Sequence, residues 1–430
     1  MLKKFLAAIA VMFITTTANA ELQIEITGGI NEGHKIAVYP FEQSQAVKFD
    51  VGSVVSADLM RSGKFSPISS SALPAPSFNE SGALANIDAI AATGAEVAVT
   101  GSVKDLGGSM YSVEFKVFGL QGANKGKFLA GSRGNSSMTT MRQAAHRVSD
   151  RVYELFTGQR GCFRTRIAYV VYKRGAAFPY QLMTSDYDGF NETPIVKSTQ
   201  PVMTPSWSPD GRRLAYVSFE KRTPAIFVQD IVSKKRTKLA SFTGLNSSPA
   251  WSPDGSKIAM TLSKDGQPDI YYFDLASSRF VRVTSNKAID TEPNWSADSK
   301  SLFFTSERGG KAQIYRADVA SQKVERVTYQ GARNLSARPI PGTNSLIVIT
   351  QVNGFRVARV DADGSIYMLT TSSLDESPSV APNGSMVIYS TVYQGRKGLA
   401  IVSSDGRFKA NLPSSSGEIS APAWGPLLSK

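Results

Sequence analysis

The spacing of apolar and polar residues changes near residue 158. Before this point, helical spacing occurs in two runs, 51–65 and 139–158. Strand-like alternation occurs in three runs, 35–41, 95–103 and 111–119. Thr139 or Thr140 is the expected N-cap of the second helix, which should end at Gly158. The order of elements predicts a small α/β domain over residues 21–157, in which helices cover a sheet.

Beyond a Gly-rich, basic segment at 158–165, which we interpret as a linker, helical spacing is absent. Short apolar runs then alternate with turn residues to the end of the chain. Six of these runs correspond to one another: 167–172, 214–219, 258–263, 302–307, 346–351 and 386–391. Each run is too apolar for a strand with one solvent-facing side, so each should be buried on both faces.

A short motif precedes most of these runs. It reads PSWSPDGRRLAYVS at 205–218 and PAWSPDGSKIAMTL at 249–262, with a looser copy, PNWSADSKSLFFTS, at 293–306. Its marker position, Trp in the clearest copies, recurs at Trp207, Trp251, Trp295, Pro339, Val380 and Trp424. The Pro, Asp and Gly of Ser-Pro-Asp-Gly suit successive positions of a turn. We expect each Trp to pack between repeats and each turn to lead the chain into an inner strand.

A repeat of 41–44 residues with several strands is typical of a β-propeller blade. We therefore predict an all-β six-bladed β-propeller over residues 166–430. The first apolar run has no marker before it, and the last marker has no run after it. The C-terminal segment should therefore complete the first blade and close the ring, which removes exposed sheet edges.

The N-terminus reads as a secretory signal peptide over residues 1–20. A basic start and a short apolar run precede Ala18-Asn19-Ala20, which predicts cleavage between Ala20 and Glu21. No later apolar stretch is long enough to suggest an integral membrane segment. The net charge of +13 includes a cluster at 234–238, but this cluster lacks interleaved aromatic residues, which argues against nucleic-acid binding. The single cysteine, Cys162, excludes an internal disulfide.

The catalytic motifs that can be sought in the sequence are missing. The two histidines, His34 and His146, lie outside the predicted propeller, so no Ser-His-Asp triad can form on it. A G-x-S-x-G motif, zinc-ligand spacing and a phosphate-binding Gly loop are also absent. One enzymatic alternative stays open, a secreted glycoside hydrolase or lyase that uses Asp290 and Glu376 as acid and base.

The residues ahead of each marker should ring one mouth of the propeller channel. Three positions before the marker stand Thr204, Ser248, Glu292, Ser336, Ser377 and Ala421. One or two positions further out stand Asn246, Asp290, Thr291, Asn334, Asp375 and Glu376. Small polar groups and carboxylates offer a peptide or loop many hydrogen bonds with little side-chain entropy to lose. The acidic members of this ring are also compatible with a cation in the channel.

The whole chain resembles the TolB family, the periplasmic propeller component of the Tol-Pal system. The resemblance is carried by the domain order and by the stretches FRTRIAYVVYK, TEPNW, DESPSVAPNGSMVIYST and SSDGRFKANLP. It implies a non-enzymatic, cofactor-free periplasmic adaptor that supports outer-membrane integrity and constriction during cell division. Implied partners are the lipoprotein Pal at the propeller mouth and TolA at the mature N-terminus, with colicins as further ligands of some members. We expect a monomer.

Matching motifs and the predicted ring together give the positions expected to face Pal. They are Thr204, Leu245, Asn246, Ser248, Asp290, Thr291, Glu292, Asp375, Glu376 and Ser377. Leu245 departs from the polar or aromatic residue expected at its position.

The resemblance assigns TolA binding to residues 21–33. These are Glu21, Leu22, Gln23, Ile24, Glu25, Ile26, Thr27, Gly28, Gly29, Ile30, Asn31, Glu32 and Gly33. The segment alternates apolar and polar residues before its glycines, which suits a detachable strand that adds to the edge of a partner's sheet. An ordinary first strand of the α/β domain is the alternative. If the segment is detachable, binding of Pal at the mouth would be coupled to its release or docking.

Overall fold

The computed structural model describes residues 33–412 and 417–427, and the backbone of residues 24–25. The predicted signal peptide and the Ala20–Glu21 cleavage site lie outside the described residues. Of the predicted TolA segment, only the backbone of Ile24 and Glu25, together with Gly33, is described.

The N-terminal region is a mixed sheet covered by helices, as predicted. Its elements are β2 (His34–Val38), β3 (Glu42–Gln43), α1 (Val51–Arg61), β4 (Phe65–Pro67), α2 (Ile87–Ala91), β5 (Val97–Gly107), β6 (Met110–Gly119), β7 (Phe128–Ser137) and α3 (Met141–Thr157). Single 3₁₀ turns occur at Ser70–Ala72, Gly122–Asn124 and Met138–Thr140. The strand order is β4-β2-β5-β6-β7, with β2 parallel to β4 and β5, while β5, β6 and β7 are antiparallel.

Local capping explains where the two long helices begin and end. The Asp50 carboxylate accepts hydrogen bonds from the backbone N–H groups of Gly52 (3.1 Å) and Ser53 (2.8 Å), which caps α1. Thr140 directly precedes α3, but its side chain does not cap that helix and instead joins Ser137 in the capping box of the preceding 3₁₀ turn. Gly158 ends α3 in the left-handed conformation (φ 68°), as the sequence predicts.

Six blades follow, and the predicted six-bladed β-propeller is confirmed. Blade 1 contains β8 (Arg166–Tyr172), β9 (Tyr180–Asp186), β10 (Thr193–Ser198) and β31 (Glu418–Trp424). Blade 2 contains β11 (Val202–Trp207), β12 (Arg213–Ser218), β13 (Ala225–Asp230) and β14 (Arg236–Ala240). Blade 3 contains β15 (Asn246–Trp251), β16 (Lys257–Leu262), β17 (Asp269–Asp274) and β18 (Arg279–Arg282).

The remaining three blades repeat this arrangement. Blade 4 contains β19 (Asp290–Trp295), β20 (Ser301–Ser306), β21 (Gln313–Asp318) and β22 (Val324–Arg326). Blade 5 contains β23 (Asn334–Pro339), β24 (Leu346–Gln351), β25 (Phe355–Val360) and β26 (Ile366–Met368). Blade 6 contains β27 (Glu376–Val380), β28 (Met386–Tyr393), β29 (Arg396–Ser403) and β30 (Lys409–Leu412), with β1 (Ile24–Glu25) paired to the outer edge of β30.

The ring closes as the sequence predicts, because β31 pairs with β8 in blade 1. The marker Trp residues join neighbouring blades. The indole N–H of Trp207 donates to the carbonyl of Ala423 (3.1 Å), and that of Trp295 donates to the carbonyl of Ala250 (3.0 Å). The expectation that Trp packs between blades is therefore confirmed.

The apolar runs were expected to form the innermost strand of each blade, and this expectation was wrong by one strand. The strand that ends at each marker is innermost, and these six strands contact one another around the axis. The apolar run after the turn forms the second strand. It is buried on both faces because it lies between two strands of its own blade and against the neighbouring blades, as in β12, where Leu214–Ser218 are all buried.

The α/β domain packs against the propeller face that carries the turns after the markers. Lys64 forms an ion pair with Asp405 (Nζ–Oδ2, 2.8 Å), and the Asn383 side chain donates to the carbonyl of Arg160 (3.1 Å). Within the segment 158–165, Cys162 and Phe163 are fully buried in an apolar cluster that includes residues of both domains. The inner strands therefore begin on the propeller face opposite the α/β domain, and we call that face the mouth.

Candidate functional site

The predicted ring exists, and its backbone has an unexpected conformation. All six residues three positions before a marker have positive φ, between 46° and 56°: Thr204, Ser248, Glu292, Ser336, Ser377 and Ala421. None of them is Gly or Asn, and a β-branched residue such as Thr204 rarely adopts this conformation. Strained backbone of this kind persists only where surrounding structure imposes it, and it concentrates at functional sites.

A β-bulge in every inner strand produces this strain. The pairing register with the second strand shifts at the same place in all six blades, as between Met203 and Ser206 in β11. Proline follows the strained residue in five blades, at Pro205, Pro249, Pro293, Pro378 and Pro422. Proline has no N–H to donate to a ladder, so it fits a bulge on the channel-facing edge strand.

Three of the predicted Pal-facing side chains are buried beneath the mouth. Asn246 and Asp290 have no exposed surface, and Asp375 is 2% exposed. Asn246 hydrogen-bonds the N–H (2.9 Å) and carbonyl (2.7 Å) of Phe242, and Asp375 accepts from Ser372 (2.6 Å) and from Thr391. The expectation that these groups belong to an open ring was wrong, because they fix the loops that enter the inner strands.

Asp290 is held in the same way, and this removes the proposed pair of catalytic acids. Burial raises the pKa of Asp290, and Arg308 donates to its carboxylate (2.7 Å). Glu376 is exposed and forms an ion pair with Lys397. Because Asp290 has no exposed surface, it cannot reach a glycosidic bond, so the geometry does not support a hydrolase or lyase built on Asp290 and Glu376.

The other predicted residues divide between the mouth and the channel. Leu245 and Thr291 are partly exposed at the mouth, and Glu376 is exposed there. Four line the channel itself: Thr204, Ser248, Glu292 and Ser377.

Glu292 links two blades. Its carboxylate accepts hydrogen bonds from Thr305 Oγ1 (2.9 Å) and from the backbone N–H (3.0 Å) and hydroxyl (2.7 Å) of Ser336 in the next blade. Because the acidic residues Asp290 and Asp375 do not line the channel, the arrangement does not support the expected acidic ring around a cation.

Sequence reasoning missed the exposed apolar side chains of the mouth. Met203 is 47% exposed, Ile289 44% and Leu374 58%. A signal was present, because the position six residues before the marker is apolar in three repeats, at Leu245, Ile289 and Leu374. The mouth therefore combines apolar side chains with Thr291 and Glu376.

One group in the described part of the chain has the residue types of a metal site, namely Asp58, His146 and Asp188. It is buried between the two domains, and its carboxylates already pair with Arg61 and Arg142. Burial alone would lower the pKa of His146, but the neighbouring carboxylates of Asp58 and Asp188 outweigh burial and raise it. These three side chains therefore form a buried network of charged groups, and their ligand atoms are not free to hold a metal ion.

No helix in the described part of the chain is long and apolar enough to cross a membrane.

Comparisons with known proteins agree with this architecture. A family model described as the TolB amino-terminal domain matches residues 22–125, and a model described as the TolB beta propeller domain matches residues 153–428. The Tol-Pal system protein TolB of Mannheimia succiniciproducens is 50% identical over 434 residues, covering 100% of this chain and 99% of the relative. That of Actinobacillus pleuropneumoniae serotype 5b is 52% identical over 419 residues, covering 97% and 95%.

A solved structure shows the same likeness in three dimensions. The crystal structure of TolB from Acinetobacter baumannii matches with a TM-score of 0.85 at 37% identity, covering 95% of this chain and 100% of that one. The matched regions include both the α/β domain and the propeller. The chain belongs to the TolB family.

Proposed function

We propose that this chain is a periplasmic adaptor of the Tol-Pal system. It binds Pal at the propeller mouth and TolA through residues 21–33, and so supports outer-membrane integrity and constriction during division. Membership of the TolB family supports the assignment to this system. An adaptor acts by binding other proteins. The mouth agrees with this role, because Asp290, one of the two predicted catalytic acids, is buried and cannot act together with Glu376.

The observation that carries the Pal proposal is the mixed surface of the mouth. Leu374, Ile289 and Met203 expose apolar area beside Thr291 and Glu376, on the face that the α/β domain leaves uncovered. Exposed apolar side chains surrounded by polar groups are typical of protein-binding surfaces, in which a few buried anchors supply most of the affinity. Two of these anchors directly precede buried, hydrogen-bonded carboxylates, Ile289 before Asp290 and Leu374 before Asp375.

The N-terminal segment supports the TolA proposal. Ile24 and Glu25 pair antiparallel with Ala410 and Lys409, and so form a fifth strand at the outer edge of blade 6. Main-chain hydrogen bonds of this kind do not depend on a particular side-chain sequence in the partner strand, so the same segment can add to another sheet edge. Pal binding would change the balance between the docked and released states of 21–33.

The Pal proposal is tested by calorimetric titration of the chain from residue 21 with the soluble domain of the cognate Pal. Leu374→Ala and Thr291→Ala should each weaken binding, by about tenfold for an anchor residue. Val232→Ala is the matched control, because Val232 is 75% exposed in the turn between β13 and β14, on the face opposite the mouth. No binding by the parent chain, or equal weakening by Val232→Ala, would refute docking at the mouth.

The TolA proposal is tested separately with a chain that begins at residue 34. This variant should lose binding to the TolA domain and keep its affinity for Pal. Hydrogen exchange at 21–33, with and without Pal, then tests the coupling. Identical protection in both states would show that the two sites are independent.

A further inference from the structure

The propeller channel contains a cavity of about 420 Å³ that lies between the strained ring and the turns after the markers. Its walls consist mostly of Ser, Thr, Ala, Pro and Trp from all six blades. Among the described residues that line it, two carry charge, Glu292 and Arg338. The contacts that these two side chains already make therefore decide which charge the channel can offer to a ligand.

The Glu292 carboxylate accepts two hydrogen bonds from Ser336 and one from Thr305, which leave it with little remaining acceptor capacity. Arg338 has no such engagement. No carboxylate of the described residues lies within ion-pair distance of it, and its one hydrogen bond to protein is from Nη1 to the carbonyl of Ala337 (3.0 Å). Arg338 keeps some exposed surface towards the channel, but burial lowers the pKa of its guanidinium, and the charge of Glu292 opposes this shift. A guanidinium has five N–H donors, which leaves most of them available.

Other polar groups of the channel are also donors, in blade 6 next to Arg338 and in blade 2 across the channel. Ser206 and Ser379 stand one position before their markers, as Arg338 does. Their hydroxyl oxygens accept the backbone N–H of Trp251 (3.1 Å) and of Trp424 (2.8 Å), which leaves their own protons free to donate into the channel. The hydroxyl of Thr204 is buried at the cavity wall with no hydrogen-bond partner among the described residues. A fourth residue at this level, Asn294, adds an amide.

The space is confined and rich in donors. Its cation has no partner among the described residues within ion-pair distance and its carboxylate is held by three hydrogen bonds, which favours binding of an anion beside the cation. We infer that the channel binds a carboxylate at Arg338, with the guanidinium holding it in bidentate fashion and the hydroxyl of Ser379, in the adjacent blade, donating to it. A planar carboxylate matches the fork of an arginine, and these charge-assisted bonds are roughly twice as strong as neutral ones. The carboxylate belongs either to a small free acid or to an aspartyl or glutamyl side chain of a peptide. This site does not depend on which protein docks at the mouth.

The test is calorimetric titration of the chain from residue 21 with malonate at constant ionic strength, and in parallel with a blocked aspartyl tripeptide and its asparaginyl counterpart. Saturable binding is expected. Arg338→Gln should weaken it by about tenfold or more, since the bidentate ion pair is lost. Arg316→Gln is the matched control, because Arg316 lies on β21 with its side chain 44% exposed and outside the cavity. It should leave binding unchanged.

A second variant keeps the inference testable if Arg338→Gln fails to fold. Asn294→Asp retains Arg338 and places a carboxylate at the same level in the adjacent blade, where it should compete for the guanidinium and abolish binding. Malonate binding supports a free acid as the ligand, while binding of the aspartyl peptide alone supports a peptide carboxylate. Binding weaker than about 10 mM for both probes, or binding that survives Arg338→Gln, would overturn the inference.

Discussion

The charge network between the two domains gives a prediction whose size can be worked out. Asp58 on α1 is fully buried and accepts hydrogen bonds from Ser149 Oγ (2.6 Å), His146 Nδ1 (2.7 Å) and Arg61 Nη1 (3.2 Å). It also accepts from the hydroxyl of Tyr187, which belongs to the propeller. Asp58→Asn keeps the shape of the side chain but removes the charge that these donors surround.

Asp58→Asn should lower the free energy of unfolding because it leaves buried cations without their partner. Removing one member of a buried ion pair costs about 3–5 kcal/mol, because the remaining charge stays desolvated. Asp88→Asn is the matched control: Asp88 pairs with Lys125 (2.6 Å), but its side chain is 86% exposed. An exposed pair of this kind contributes about 0–1 kcal/mol. If the chain unfolds as one unit, the melting temperature should fall by roughly 4–6 °C for Asp58→Asn and hardly at all for Asp88→Asn.

Differential scanning calorimetry and urea unfolding of both variants measure this difference. Calorimetry also reveals whether the α/β domain and the propeller unfold together, which a two-state treatment requires. If Asp58→Asn destabilises the chain no more than Asp88→Asn does, the network does not hold the domains together and the reasoning fails.

Three further predictions concern single side chains. Burial raises the pKa of Asp150 to about 6, so the folded chain binds an extra proton between about pH 4 and pH 6, and stability is lost as the pH rises through that window. Asp150→Asn should therefore be more stable than the parent at pH 7, on the order of 1–3 kcal/mol by urea unfolding, and an unchanged pH profile would contradict this. Trp424→Ala should lower the free energy of unfolding by about 3–5 kcal/mol in thermal unfolding. Trp424 closes the ring, donates to Thr165 Oγ1 (2.8 Å) and stacks on Tyr187. A loss below about 1 kcal/mol would count against this role. Leu374→Ala should change the free energy of unfolding by less than about 0.5 kcal/mol, since Leu374 is exposed, and a larger loss in urea unfolding would mean that it is a structural residue.

The propeller could be predicted from the sequence because its signals repeat. The 44-residue spacing of Trp207, Trp251 and Trp295, and the unmatched run and marker at the two ends, determine the blade count and the closure. The innermost strand was misassigned because the most apolar run of each repeat was expected to lie nearest the axis. The inner strands are in fact largely polar, as in NSSPAW at 246–251 and DTEPNW at 290–295, because they line the channel, and the apolar run beside them forms the buried second strand.

The placement of the candidate site residues around the channel was predictable, but the burial of their side chains was not. The positions ahead of each marker do surround the mouth and the channel, yet burial of Asp290 and Asp375 depends on how each loop folds back on its own blade. The positive φ of Thr204 or Glu292 has no local signal, since neither residue favours that conformation. It occurs at the bulge where the inner strand shifts its register with the second strand. The network around Asp58 and His146 joins residues far apart in the chain, so spacing could not reveal it.

The central claim is that the propeller mouth is the docking surface for Pal. Hydrogen–deuterium exchange of the chain from residue 21, with and without the soluble domain of Pal, tests it most directly. The account predicts slower exchange on binding in the loops that enter the inner strands, at 201–205, 244–248, 288–292 and 372–377. It predicts no change at the turns on the opposite face, at 208–212 and 252–256. Protection of those turns with no change at the entering loops would contradict it.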